Sequence, residues 1–122
     1  MKFMLLIYSS TGAGDATAWL EQNQRSKGRA ALVDELFDSG EYIDGNLLAS
    51  LDRSRTVRVE NARTATDGPY LEAEAYLAGY DVVDCEDLHR AETIAARLSE
   101  ATSCAVEIRP VMHFGTDLVT GT

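Results

Sequence analysis

The sequence MKFMLLIYSS, residues 1–10, contains an unbroken apolar run from Phe3 to Ile7. Successive side chains of a strand point to opposite faces, so this run predicts a strand that is covered on both faces. We therefore predict a central strand over Lys2–Tyr8, which ends before Gly12 and Gly14. The other elements are expected to pack around this strand.

A helix is predicted after these glycines, with Asp15 or Thr17 as its N-cap and its end near Ser39. Gly40 is a typical residue just past a helix end. The apolar face of this helix is clearest in its C-terminal half, at Ala30, Leu32, Val33, Leu36 and Phe37. Gly28 is expected to weaken the helix, because glycine is a poor helix former.

The remaining chain shows strand patterns and one more helix. Strands are predicted at Glu41–Leu51, Thr56–Glu60, Thr64–Thr66, Gly79–Cys85 and Ala105–Met112. The second helix is predicted at Asp87–Ala101, with Asp87 as its N-cap. The strands at Thr56–Glu60 and Thr64–Thr66 are expected to form an inserted hairpin.

The order of these elements predicts one α+β domain over residues 1–122. Without the hairpin the order is βαββαβ, which is the ferredoxin-like arrangement. Right-handed crossovers place both helices on one face of a four-stranded, mainly antiparallel sheet. The other face stays uncovered although the first strand is apolar on both sides. We therefore expect a homodimer through the open sheet face.

Composition limits the classes of partner. The net charge is −9, so nucleic acid and anionic membranes are not expected partners. No apolar run approaches the roughly 20 residues of a membrane-spanning helix, and a cytoplasmic location is expected. Cys85 and Cys104 are isolated, which favours reduced buried thiols. No metal-ligand spacing and no phosphate-binding glycine loop occur, so neither a metal nor a cofactor is expected.

The tetrapeptide Asp67-Gly68-Pro69-Tyr70 lies between the hairpin and the third core strand, and Glu72 follows it. With the opening strand, Gly79 and Tyr80, and the closing Glu107, Arg109 and Pro110, it resembles the DGPF branch of the YCII-related proteins. The resemblance covers nearly the whole chain and has Tyr70 where the family usually has Phe. It implies a dimeric α+β barrel, in agreement with the pattern of elements.

The resemblance implies little about chemistry, because most DGPF members are uncharacterised. Some YCII-type relatives are similar to lyases or isomerases that act on small cyclic substrates. This chain has Glu74 and Ala75 where the family usually has Lys and a second Glu. Its first histidine is His89, so it lacks the early histidine of the His-Asp pair associated with the wider group.

Asp67 and Glu72 are the candidate catalytic residues. Two carboxylates beside a pocket can acquire different pKa values and act as an acid-base pair. The alternative is structural, because an Asp before Gly-Pro commonly bonds its own backbone in a turn.

The candidate ligand-binding residues are Tyr8, Gly68, Pro69, Tyr70 and Arg109. Arg109 could hold a substrate carboxylate, or pair with Glu107 on the same strand face. The tyrosines could line a pocket or pack in the core or at a dimer face. We expect a small dimeric ligand-binding or regulatory module, and the alternative is a small-molecule lyase or isomerase that uses the two carboxylates.

Overall fold

A computed structural model of the chain describes residues 1–10, 16–59, 63–69 and 74–112. The strands are β1 (Lys2–Ser9), β2 (Tyr42–Leu47), β3 (Arg55–Val59), β4 (Arg63–Asp67), β5 (Tyr76–Asp84) and β6 (Ala105–Pro110). The helices are α1 (Ala16–Asp38) and α2 (Leu88–Thr102), and a short 3₁₀ turn covers Leu51–Arg53. The predicted strands and helices are present, but the strand predicted at Glu41–Leu51 ends at Leu47, and the N-cap candidate Asp15 lies outside the described residues.

The main sheet has the strand order β2-β5-β1-β6, and all of its neighbours are antiparallel. β3 and β4 form a separate two-stranded hairpin. The predicted α+β, ferredoxin-like arrangement with an inserted hairpin is thereby confirmed. Among the described residues, neither helix combines the length and the apolar character that a membrane span requires.

The core lies between the sheet and the two helices. Its buried side chains are Phe3, Leu5, Ile7, Leu32, Leu36, Val83, Cys85, Ala91, Ile94, Ala95, Leu98 and Cys104. Met4, Leu6 and Tyr8 alternate with the core residues of β1 and therefore point to the opposite face of the sheet, where Met4 and Tyr8 are half-buried and Leu6 keeps 9% of its surface exposed. The apolar character of β1 on both faces follows from its central position.

A buried ionic network connects α1, β2 and β5 on the helix side of the sheet. Arg29 of α1 donates two hydrogen bonds to the carboxylate of Asp81 on β5, one of them from Nε to Oδ2 over 3.0 Å. The hydroxyl of Tyr42 on β2 donates to Asp81 Oδ1 at 3.1 Å and accepts from Arg29 Nη2 at 3.2 Å. Asp81 keeps 3% of its side-chain surface exposed and Arg29 keeps 14%.

The protonation of this network follows from burial and from its hydrogen bonds. Burial is the strongest influence on Asp81 and raises its pKa, while the bonds from Arg29 act in the opposite direction. Burial opposes the charge of Arg29, but the bonds to Asp81 prevail and raise its pKa. Burial, and then the charge of Asp81, raise the pKa of Tyr42 to about 12. Tyr42 therefore remains a donor at neutral pH.

Gly45 of β2 makes room for the network. A Cβ atom at this position would lie 2.1 Å from Oδ1 of Asp81 and 2.5 Å from the main-chain oxygen of Tyr80. No side chain can be accommodated there without movement of the carboxylate and of the neighbouring strand. Among the described residues, no buried side-chain nitrogen or oxygen lacks a hydrogen-bond partner.

The start of α2 is fixed from two sides. The carboxylate of Asp87 accepts from the main-chain nitrogen of Arg90 at 2.8 Å, which confirms the predicted N-cap. The guanidinium of Arg90 donates to both carboxylate oxygens of Glu41, at 2.9 and 2.8 Å. These hydrogen bonds are the main reason that the pKa of Glu41 is lowered to about 2. The chain just before β2 is thereby joined to α2.

The apolar face of α1 differs in part from the prediction. Leu32 and Leu36 are buried, but Ala30 and Phe37 are exposed, and Phe37 keeps 64% of its surface. The ring of Phe37 lies 5.0 Å from the ring of Tyr42, on β2. β2 is an edge strand, so the sheet ends there and leaves one side of Phe37 in solvent.

Gly28 lies at a close contact between α1 and α2, which its low helix propensity does not indicate. A Cβ atom at position 28 would lie 2.6 Å from the main-chain oxygen of Ala101 in α2. The missing side chain therefore permits the close approach of the two helices. The expectation that Gly28 only weakens α1 was incomplete, because its contact partner is 73 positions away along the chain.

We predict that Arg29→Met lowers the free energy of unfolding by about 3–5 kcal/mol, because it leaves the Asp81 carboxylate buried without its cationic partner. The loss should shrink as the pH falls, since burial raises the pKa of the unpaired Asp81 carboxyl above its value in the unfolded chain and protonation removes the buried charge. Urea denaturation at several pH values measures both effects. Arg97→Met is the matched control: its pair with Glu35 is exposed, and its loss should cost less than about 1 kcal/mol. An equal loss in both variants would contradict the prediction.

We predict that Gly28→Ala destabilises the protein by about 1–3 kcal/mol, as expected for overpacking at a close contact. The clash with the Ala101 carbonyl should outweigh the gain of about 1 kcal/mol that alanine normally brings to a helix. Thermal and urea unfolding measure the change. Ser26→Ala, at an exposed position of the same helix, should be neutral or slightly stabilising. A more stable Gly28→Ala variant would show that the helices do not meet at this position.

Candidate functional site

The described part of the chain contains an open cavity where the β3–β4 hairpin meets one end of the main sheet. Its volume is about 970 Å³. This lies at the upper end of the roughly 300–1,000 Å³ that is typical of small-molecule sites. The described lining residues are Tyr8, Leu48, Leu51, Ser54, Arg55, Thr56, Val57, Arg58, Pro69, Ala75, Tyr76 and Leu77.

The wall formed by the main sheet comes from the end of β1 and the start of β5. Tyr8 and Leu77 are partners in the register of these strands, so their side chains share the open face of the sheet. The register of β1 and β5 shifts between Ile7 and Tyr8. Such an irregularity bends a strand and redirects its side chains, and here it lies directly beside the cavity.

The opposite wall is the hairpin together with the segment that precedes it. Leu48 follows β2, and Leu51 begins the 3₁₀ turn that leads into β3. Strand β3 then contributes Arg55 to Arg58. The hairpin shares no strand pairing with the four-stranded sheet, so contacts other than backbone pairing determine its position against that sheet.

Hydrogen bonds of the Asp67-Gly68-Pro69 turn close the base of the hairpin. The main-chain nitrogen of Gly68 donates to the Ser54 carbonyl at 2.7 Å, and Thr56 Oγ1 donates to the Gly68 carbonyl at 2.8 Å. Gly68 has φ +101, a backbone conformation that favours glycine. The turn therefore joins the end of β4 to the start of β3 and places Pro69 in the cavity wall.

The cavity is mainly apolar and carries positive charge on one side. Leucines, a valine, a proline and an alanine make up the apolar part, and Arg55 and Arg58 are the charged residues. Nε of Arg55 lies 3.6 Å from Oδ1 of Asp67, and both side chains are largely exposed. The described lining contains no carboxylate, imidazole or thiol, and its hydroxyl groups belong to Tyr8, Ser54, Thr56 and Tyr76.

The predicted catalytic pair is not brought together by the described residues. The Asp67 side chain is 91% exposed beside Arg55, and Asp67 is not a lining residue. Glu72 lies outside the described residues. The acid-base pair therefore stays a prediction, and so does the alternative in which Asp67 bonds the main chain of its own turn.

The predicted ligand-binding residues divide into three groups. Tyr8 and Pro69 line the cavity, and Gly68 holds the hairpin base next to it. Arg109 lies on β6 opposite Met4, exposed, and it is not among the described lining residues. Tyr70 lies outside the described residues.

The sequence interpretation missed Leu48, Leu51, Arg55 and Arg58 as lining residues. A signal was present: Arg53, Arg55 and Arg58 occur close together in a chain that carries a net charge of −9. The sequence analysis interpreted the segment Thr56–Glu60 only as one strand of the inserted hairpin. Which segment lies across from that strand depends on tertiary packing, which the pattern does not reveal.

Comparison with known proteins places these observations in a family. The family model described as YCII-related domain matches residues 1–115. No curated protein matches the chain.

Proposed function

Because the chain belongs to the YCII-related domain family, with a match that covers residues 1–115, we propose that it is a small dimeric module that binds a small molecule. The binding site in this proposal is the cavity between the β3–β4 hairpin and the end of the main sheet. The family match indicates no particular reaction. The observation that carries the proposal is a largely apolar cavity of about 970 Å³ whose described lining contains no carboxylate, imidazole or thiol.

Binding is favoured over acid-base catalysis by the placement of the polar groups. The hydroxyl of Thr56 is already used in a hydrogen bond to the Gly68 carbonyl, and it helps to hold the hairpin. Asp67 is solvated outside the cavity. The groups that remain at the wall suit the orientation of a ligand more than the breaking of its bonds.

The dimer is proposed from the open face of the sheet. Met4, Leu6 and Tyr8 of β1 lie on this face. Two residues of β5 share it, because Val82 is the register partner of Met4 and Tyr80 is the register partner of Leu6. These residues form a mostly apolar strip along the centre of the face, and their register partners on the outer strands are Asp44 and Asn46 of β2 and Glu107 and Arg109 of β6. Such a surface in a small domain usually marks an interaction site. Tyr8 belongs both to this face and to the cavity, so a partner on the sheet would adjoin the bound molecule.

We predict that Ala75→Trp abolishes small-molecule binding, because the indole would occupy the cavity that Ala75 lines. The measurement is a fragment screen by two-dimensional NMR, in which hits should shift the amide signals of Leu51, Thr56 and Leu77. Ala96→Trp, at an exposed position on α2, is the matched control and should bind the same fragments as the wild type. Hits that bind Ala75→Trp unchanged would contradict the cavity as the binding site.

We predict that the protein sediments as a dimer, with twice the chain mass of 13.3 kDa, and that Met4→Glu converts it to a monomer. The new carboxylate would lie in the proposed interface in each protomer, and its desolvation there should cost more than the neighbouring Arg109, the register partner of Met4, can offset. Leu88→Glu is the control, because it makes the same kind of change at the exposed start of α2. A wild-type monomer at micromolar concentration would refute the dimer.

A further inference from the structure

We infer that two protomers of this chain are joined at the rims of their open sheet faces by ion pairs between Asp44 of one protomer and Arg109 of the partner subunit. This inference rests on the proposed dimer and specifies which surfaces of its two sheets meet. Asp44 lies on β2 and Arg109 on β6, the two edge strands of the main sheet. Both residues are exposed, and neither forms an ion pair with another described residue.

The strand register places these two residues in one row across the open face. Met4 of β1 is the register partner of both Val82 and Arg109, and Val82 is also the partner of Asp44. Register partners share a face of the sheet. The row therefore runs from an acidic residue through two apolar residues to a basic one, so its two ends carry opposite charges.

The two charged ends of this row cannot meet within one protomer. Asp44 and Arg109 are separated by β5 and β1, which is three strand spacings or about 14 Å. Glu107 lies on the same strand as Arg109, but these two exposed side chains form no ion pair with each other. A second copy of the chain can supply the missing partner to each of the two rims.

Two-fold symmetry brings the opposite rims together. When the axis lies between two stacked sheets and is parallel to their strands, β2 of one protomer faces β6 of the other. Each Asp44 then lies opposite Arg109 of the partner subunit, and each Met4 lies opposite the partner's Val82. Sheets that stack with aligned strands lie about 10 Å apart, a gap that the side chains of an arginine and an aspartate can bridge together.

The next row along the strands fits the same arrangement. It consists of Asn46, Tyr80, Leu6 and Glu107, which are register partners from β2 to β6. The amide nitrogen of Asn46 donates to the Tyr80 hydroxyl at 3.4 Å, so the amide lies on this face. Under the same axis Asn46 faces Glu107 of the partner subunit, whose carboxylate can accept a second hydrogen bond from the amide. Because each chain carries a net charge of −9, association needs such attractive contacts.

An axis across the strands is the competing arrangement. Between the two rows, it would set Arg109 opposite Glu107 of the partner subunit. The row of Lys2 would then face the row of Tyr8, so a charged group would lose water against a mostly apolar surface. The axis parallel to the strands avoids this cost, because it places Lys2 opposite Asp84 of the partner subunit.

The experiment uses two charge reversals in the full chain, Asp44→Arg and Arg109→Asp. Alone, each variant sets like charges opposite each other at both contacts of its homodimer. The dissociation constant of each homodimer should therefore rise at least about tenfold. In an equimolar mixture the two variants supply opposite charges at both contacts, so a heterodimer should form with about the affinity of the wild type. Sedimentation measures the affinities, and native mass spectrometry identifies the heterodimer by its mass.

Asp34→Arg is the matched control. It makes the same change of charge as Asp44→Arg at an exposed position of α1, on the other side of the sheet, and it should dimerise like the wild type. Added salt should reduce the differences among the proteins, because it screens exposed charges.

The outcomes separate the inference from the proposed dimer. If the wild type dimerises and Asp44→Arg dimerises equally well, the ion pair is wrong and the dimer stands, as expected for the axis across the strands. Homodimers that are weakened but do not recover on mixing would also overturn the ion pair. A wild-type monomer at micromolar concentration would refute both the ion pair and the dimer.

Discussion

The carboxylate of Asp81 is buried on the helix side of the sheet and has to be compensated there by groups from neighbouring elements. Arg29 reaches it from α1 and Tyr42 reaches it from β2, so one side chain on β5 connects three elements. Desolvation of two charges costs several kcal/mol per ion, and their attraction only partly offsets this cost. The network is therefore better understood as a device that specifies how α1, β2 and β5 fit together than as a large source of stability.

The same requirement explains local features that look unfavourable in isolation. Gly45 interrupts the apolar pattern of β2, and its missing side chain is what brings the strand close to the carboxylate. Gly28 immediately precedes Arg29, and it lets α1 approach α2 while Arg29 reaches the sheet. Both glycines reduce the intrinsic preference of their elements and are compensated by tertiary contacts. The two glycines, which weaken their own helix or strand, lie where neighbouring elements come closest.

Much of the fold could be predicted from the sequence, because periodicity and capping are local signals. The run from Phe3 to Ile7 identified the central strand, and Asp87 identified the start of α2. The partner of Arg29 could not be predicted, since Asp81 is 52 positions away and appears in the sequence as one polar residue in a strand. The position of Phe37 depended on β2 being an edge strand, which is a property of the strand order.

The candidate site was predictable only in part, for a related reason. The Asp67-Gly68-Pro69 turn was recognised as important, and Gly68 indeed holds the base of the hairpin. Whether the residues of this turn act in binding or catalysis depends on the side chains around them, and the sequence of the turn does not specify those side chains. Leu77 of β5 and Arg58 of β3 meet at the cavity only because the hairpin is folded onto the end of the sheet. A sequence pattern describes the faces of each strand, but not the surface that each face meets.

The position of β1 also determines which parts of the protein can unfold locally and which unfold only with the whole. Its amides lie between β5 and β6, and its side chains contribute to the core, to the open sheet face and to the cavity. Amides of such a strand exchange with solvent only when the whole domain unfolds, whereas the hairpin, which shares no ladder with the sheet, can open in a smaller event. Hydrogen exchange in β1 therefore reports the global stability of the domain, and exchange in β3 and β4 reports the opening of the cavity wall through which a ligand would enter and leave.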